Sequence, residues 1–228
     1  TGIAGFQLAL EFSKDSFFYS KRIALIDKSH KTINDKTLSF WEKGDGKWDS
    51  IVIKSWNEAS IYTSNKKLSL KLNPYNYKTI RALDFYNKIK IELSNLTNFT
   101  FITEEVLSIE NRTKLKIKTK QNTYEAKHVF DSRIPQEYYL KSNDYTKIKQ
   151  HFKGWIIKTD SHVFDTNKFT MMDYRLKDGE QTTFTYVLPF SKNKALIEFT
   201  YFTKNLVEQA KLVINWFYLG PIPSRFVT

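Results

Sequence analysis

The stretch from Gln150 to Tyr201 leaves this chain the fewest choices. Phe184, Tyr186, Leu188 and Phe190 alternate with Thr185, Val187 and Pro189, the period-2 pattern of a strand. Ser191-Lys192-Asn193-Lys194 is a polar turn of hairpin length. Ala195, Ile197, Phe199 and Tyr201 then alternate with Leu196, Glu198 and Thr200. Glu198 therefore falls in mid-strand, on a face with Leu196 and Thr200. A carboxylate there is costly to bury unpaired, because desolvation penalises the charged form and raises its pKa. Two readings follow. Glu198 faces water and pairs with a nearby Lys, or it is an acid held in apolar surroundings. Asp173, in Met171-Met172-Asp173-Tyr174, has the same character.

The N-terminus carries a second pattern. Gly2-Ile3-Ala4-Gly5-Phe6-Gln7-Leu8 reads as G-x-G-x-x-G without its first glycine. Gly2 would let backbone approach a pyrophosphate, and Gly5 would let a helix pack close to a sheet. Such a helix N-terminus binds phosphate through its exposed N–H groups and dipole. Arg22-Ile23-Ala24-Leu25-Ile26-Asp27 is an apolar strand ending in an acid. Asp27 follows Gly5 by 22 residues, near the spacing of a carboxylate that accepts ribose hydroxyls. The strand that opens such a motif is expected before Thr1. The sequence thus reads as part of a longer chain that would hold a dinucleotide poorly by itself.

Between these ends, Ala82, Tyr86, Ile89 and Leu93 mark one face of a helix. Phe99–Ile102 and Leu115–Lys118 alternate as strands, and His128-Val129-Phe130 is expected to be a short apolar strand. Asp131-Ser132-Arg133 after it is a polar loop, which the residues alone read as a surface turn closed by Pro135. Trp41, Trp48 and Trp56 are either core or pocket wall. Leu206–Phe217 has helical character.

With 228 residues the chain can bury a substantial core. Its 18 Phe, 13 Tyr and 5 Trp can also line a pocket for a large apolar ligand. Without Cys it has neither disulfides nor thiolate metal sites. Its four His have no metal-ligand spacing. The net charge of +12 is spread along the chain and accompanies no nucleic-acid motif, so no nucleic-acid partner is expected. No apolar run reaches the roughly 18 residues of a membrane span.

The ordered elements QHFKGWIIKTD, VFD, MMDYR, YVLPFS and KALIEFT resemble the lycopene cyclase family of flavoproteins. Upstream, Tyr77-Lys78-Thr79-Ile80-Arg81-Ala82-Leu83-Asp84-Phe85-Tyr86 is similar to the family's Y-x-x-I-R-x-x-D-F-Y segment. Lys36-Thr37-Leu38-Ser39-Phe40-Trp41 is similar to its T-W-x-F-W element, with Leu38 in place of Trp.

The resemblance implies an α/β fold. A Rossmann-like FAD-binding domain (1–45 and 78–140) would carry an antiparallel substrate-binding sheet (46–77 and 141–205), with 206–228 a separate tail. It implies FAD in its reduced form, with NAD(P)H as reductant, held in part by Gly2, Ala4, Gly5, Asp27 and Arg133. It implies cyclisation of the ends of lycopene to β-ionone rings by acid-initiated, non-redox carbocation chemistry, with Glu198 as the acid and Asp173 orienting or sharing the proton. Arg81 would face the flavin phosphates or pair with Asp84. The protein would be cytoplasmic and peripheral to the membrane in which lycopene dissolves. A related FAD-dependent monooxygenase, or a non-catalytic fragment or paralogue, would share much of this pattern.

Overall fold

A computed structural model of the chain describes residues 1–111, 113–140, 146–208 and 224–226. The chain divides into two units, Thr1–Leu38 with Arg81–Lys141, and Ser39–Ile80 with Ser142–Thr228.

In chain order, the elements are α1 (Ile3–Phe12), β1 (Ile23–Asp27), β2 (Thr37–Lys43), β3 (Val52–Trp56), β4 (Glu58–Tyr62), β5 (Lys67–Lys71), β6 (Tyr75–Arg81), α2 (Ala82–Ser94), β7 (Phe99–Thr103), β8 (Val106–Asn111), β9 (Leu115–Thr119) and β10 (Thr123–Ala126). They continue with β11 (Lys149–Thr159), β12 (Lys168–Asp173), β13 (Thr182–Ser191), β14 (Lys194–Thr203) and β15 (Ser224–Phe226).

In the first unit β1 and β7 pair in parallel, with Leu25 opposite Phe101. Helices α1 and α2 supply the apolar faces that cover such a sheet. Phe6, Ala9 and Leu10 of α1 are buried, as are Ala82, Phe85, Tyr86, Ile89 and Leu93 of α2. The Phe6 ring lies 5.7 Å from Tyr86 and 6.4 Å from both Phe85 and Phe101. The helical face expected over 82–93 is therefore the core face. Strands β8, β9 and β10 form an antiparallel sheet of their own. The strand expected at His128–Phe130 is irregular backbone instead. No neighbouring strand pairs with it among the described residues, and Phe130 is 70% exposed against Phe12. Two apolar residues do not make a strand without a ladder to join.

The second unit holds two sheets. One has the order β2-β6-β3, the other β15-β11-β14-β13-β12-β4-β5. Pairing with β6 places 39–43 and 78–80 in this unit rather than in the nucleotide domain expected for them. Lys78 of β6 is buried, and its ammonium lies 2.9 Å from Glu42 and 2.5 Å from Asp49. It also donates to the Gly44 carbonyl at 2.8 Å, where a φ of +68° suits glycine. Burial pulls the Lys78 ammonium down, but its bonds to Asp49 and Glu42 outweigh that and hold it above its ordinary value.

Strands β13 and β14 form the expected hairpin, joined through Lys192-Asn193, and β14 pairs with β11 on its other side. Both faces of the hairpin are largely buried. One face carries Ile157, Ala195 and Ile197, packed with Trp155, Phe164 and Val187. The other carries Leu188 and Leu196, packed with Trp56, Phe169, Tyr77 and Tyr186. The helical character expected at Leu206–Phe217 falls mostly outside the described residues.

Candidate functional site

Two places in the chain have chemistry beyond packing, one in each unit.

In the first unit, Gly2 caps α1 with extended backbone and no side-chain cap. Ala4 and Gly5 fill the first helical turn, whose N–H groups have no intrahelical acceptors. The space where a Cβ at Gly2 would stand is open. At Gly5 it would come within 3.1 Å of Thr1 Cγ2. Beside this turn is a cavity of about 350 Å³, lined by Thr1, Phe6, Asp27, His30, Lys31 and Thr103 among others. Asp27 ends β1 at its wall. Its carboxylate accepts from the Thr1 nitrogen at 2.7 Å and the Ser29 N–H at 2.9 Å, and Lys31 lies at 3.2 Å. Burial raises the Asp27 carboxyl, and the Ser29 N–H and Lys31 oppose that rise. An open backbone turn, a carboxylate at the end of β1 and a largely apolar slot fit the adenosine half of a dinucleotide.

Arg133 is elsewhere. Its guanidinium grips both oxygens of Asp131 at 2.9–3.1 Å and donates to the Val106 and Leu107 carbonyls at 3.0 and 3.2 Å. That is the surface-turn alternative, a loop tied to β8, and Arg133 does not line the cavity. Arg81 likewise forms a bidentate pair with Asp84, at 2.7 and 3.1 Å.

In the second unit, Glu198 stands in mid-strand on β14. Tyr186 of β13 is directly opposite on one side and Gly154 of β11 on the other. Directly opposed residues share a sheet face. Glu198 therefore shares the aromatic face. Tyr186 interacts with Tyr77, and Tyr77 stacks on Phe169 at 4.5 Å and 17°. Trp41 lies 4.7 Å from Tyr77, half exposed, while Trp56 is buried 5.6 Å from Phe169. The tryptophans thus divide, Trp56 and Trp48 into the core and Trp41 onto the wall of the aromatic cluster.

Among the described residues no Lys or Arg pairs with Glu198. Thr200 Oγ1 donates to it over 3.5 Å, a long bond. Burial pushes the Glu198 carboxyl above its ordinary value, and Thr200 only partly opposes this. Burial also raises Tyr77 and Tyr186, and the Glu198 charge adds to both shifts. The alternative of a solvated, Lys-paired Glu198 does not hold.

Asp173 is not a partner of Glu198. It lies opposite Thr185, which lies opposite Phe199, so it belongs to the other face of the sheet. It forms an ion pair with Arg175 at 2.6 Å and accepts the Arg175 N–H at 3.1 Å. A proton shared between Asp173 and Glu198 would have to cross the sheet. Tyr186, Tyr77 and Gly154 are the neighbours that sequence reasoning missed. Tyr186 is visible in the alternation, but its register is not.

Among the described residues there is no cluster of three or more His, Asp or Glu that could hold a metal. No helix among them is long and apolar enough to cross a membrane.

A parallel strand pair with two helices, the first started at a glycine, in a chain that also carries a large mostly antiparallel sheet, is the flavoprotein oxidoreductase fold. A geranylgeranyl bacteriochlorophyll reductase-like protein from Thermoplasma acidophilum shares it with a TM-score of 0.67 and 17% identity, over 100% of this chain and 62% of that one. A flavoprotein/dehydrogenase from Cytophaga hutchinsonii shares it with a TM-score of 0.56 and 14% identity, over 88% and 53%. Within that fold the chain belongs to the lycopene cyclase protein family, which matches residues 1–213. Capsanthin/capsorubin synthase of Capsicum annuum is 24% identical over 237 aligned residues, 88% of this chain and 42% of that protein. The chain thus spans less than half the length of this relative.

Proposed function

We propose that the protein is a lycopene cyclase: it closes the ends of an acyclic carotenoid into β-ionone rings, with Glu198 as the proton donor. The observation that carries this is the half-buried Glu198 carboxyl, which has no cation partner among the described residues and shares its sheet face with Tyr186. Cyclisation needs an acid that stays protonated near neutral pH. Protonation of the terminal alkene leaves a tertiary carbocation, the next double bond closes a six-membered ring, and a proton is lost. Substrate and product are isomers, so no electrons are transferred overall. The chain's own residues divide the work. Glu198 holds the proton, and the faces of Tyr77, Tyr186 and Trp41 favour positive charge by about 0.5–2 kcal/mol per ring. Water at the cation would trap it, which the apolar residues beside Glu198 would disfavour.

Family membership and the fit of the Asp27 cavity support FAD as the cofactor, its adenosine half against Gly2, Ala4, Gly5 and Asp27. Bound in its reduced form, with NAD(P)H as the source of electrons, it would supply negative charge near the cation without net redox change. Lycopene partitions into bilayers, which supports a peripheral association with the membrane surface.

The test is substitution of the acid in the full-length protein. Glu198→Gln keeps shape and hydrogen bonding but removes the proton. Cyclisation is expected to fall by about 10²-fold or more, the scale for losing a general acid, with flavin content unchanged. An unchanged rate would place the acid elsewhere.

A further inference from the structure

Gly154 lies near the middle of an 11-residue strand, directly opposite Glu198. Glycine weakens a strand, because it loses the most backbone freedom on ordering and offers no side chain to pack. Gly154 shows no positive φ. Its backbone conformation is open to any residue, so the need for glycine lies in the space beside it. A Cβ here would come within 3.6 Å of the Glu198 carboxylate oxygen and 3.1 Å of Leu196 Cδ1. Gly154 is exposed, and so is Phe152, two residues before it on the same face. On the other side of Glu198 stands Tyr186, which interacts with Tyr77. The side-chain-free position on β11 is therefore the open flank of the acid.

We propose that Gly154 is the specificity-determining opening of the site, through which a slender apolar alkene end reaches the Glu198 carboxyl. The bare backbone at this point sets how bulky that end can be. A side chain at 154 would occupy the volume that the terminal dimethyl alkene of the substrate must enter. This rests on reading Glu198 as an alkene-facing acid, and the test separates the two claims.

Dicyclohexylcarbodiimide is an apolar reagent that adds to protonated carboxylic acids, first as an O-acylisourea and then as a stable N-acylurea. The chain and its Gly154→Ala and Gly154→Val forms would be treated at equal concentration, with Glu198→Gln as the blank. The adduct at Glu198 is quantified by peptide mass spectrometry. Modification of Glu198 in the parent is expected, slower in Gly154→Ala, and about tenfold or more slower in Gly154→Val, as when approach to a reacting atom is blocked. Valine suits a strand, so the melting temperature should hold. Should Gly154→Val melt early, Gly154→Ala carries the comparison, since only the flexible end of Leu196 must move to admit its methyl. Equal rates in all three forms, or no adduct at Glu198 in the parent, would overturn the proposal. Lycopene added to the parent is expected to slow the labelling. If the size dependence at 154 holds while lycopene gives no protection, the opening stands and the cyclase reading falls.

Discussion

Glu198, half-buried without a cation partner among the described residues, and Lys78, buried with two carboxylates, answer to pH in opposite ways. The Glu198 carboxyl is raised by burial. Its contribution to stability is therefore present below the ordinary Glu range and is lost as pH rises through the folded value. Glu198→Gln removes that loss. At pH 7 the variant is expected to melt at or above the parent temperature, and below about pH 4, where both forms are neutral at this position, the difference should vanish. A variant that melts lower at pH 7 would mean that the carboxylate is favourably solvated. Lys78 works the other way. Asp49 is held below its ordinary value by its bond to Lys78. The stability it contributes is present above the ordinary Asp range and is lost as pH falls through the folded value. Lys78→Met is expected to lower the melting temperature by several degrees at pH 7 and by less at pH 3. A uniform loss at both pH values would show that packing, not charge, is what Lys78 contributes. The sequence marked Glu198 because a charge interrupts an apolar alternation. Lys78 lies in the family-like Tyr77–Tyr86 segment with no such interruption, and its partners, Glu42 of β2 and Asp49 after it, are distant in sequence.

At the scale of strands, two bulges decide which side chains meet. A two-residue turn between Ser191 and Lys194 would by itself set Val187 opposite Glu198. The register shifts between Pro189 and Ser191, and Tyr186 takes that place. Because side chains alternate, this one-residue slip moves the whole aromatic set of β13 onto the acid's face. A proline, which donates no ladder bond, sits where the shift occurs. A second shift between Thr170 and Asp173 sends Asp173 to the opposite face. Asp173→Asn is accordingly expected to retain cyclisation within about tenfold of the parent, against about 10²-fold for losing the general acid. A loss equal to that of Glu198→Gln would mean that the two acids act together across the sheet. This is why the hairpin and the α2 face were legible and the site only half so. Periodicity reports faces within one strand. The pairing of faces between strands depends on bulges that a single residue sets. The expected strand at His128–Phe130 failed for a related reason, since an apolar dipeptide does not reveal whether a partner strand exists.

For the molecule as a whole, charge and reaction bear on separate measurements. The net charge of +12 favours anionic surfaces. Well-placed basic residues add about 1 kcal/mol each at a charged bilayer, screened by salt. Sedimentation with anionic liposomes is expected to fall as salt rises, and equal binding to neutral vesicles would remove the electrostatic contribution. The central claim is that an isolated acid in an aromatic wall protonates an alkene, and solvent deuterium tests it most directly. The full-length protein, with reduced flavin, is supplied with lycopene in D₂O, and the products are weighed. A cyclic isomer carrying a solvent deuteron for each ring closed, formed by the parent and all but lost in Glu198→Gln, is the expected result. An oxygenated or desaturated product, or equal deuterium incorporation in both forms, would contradict the account.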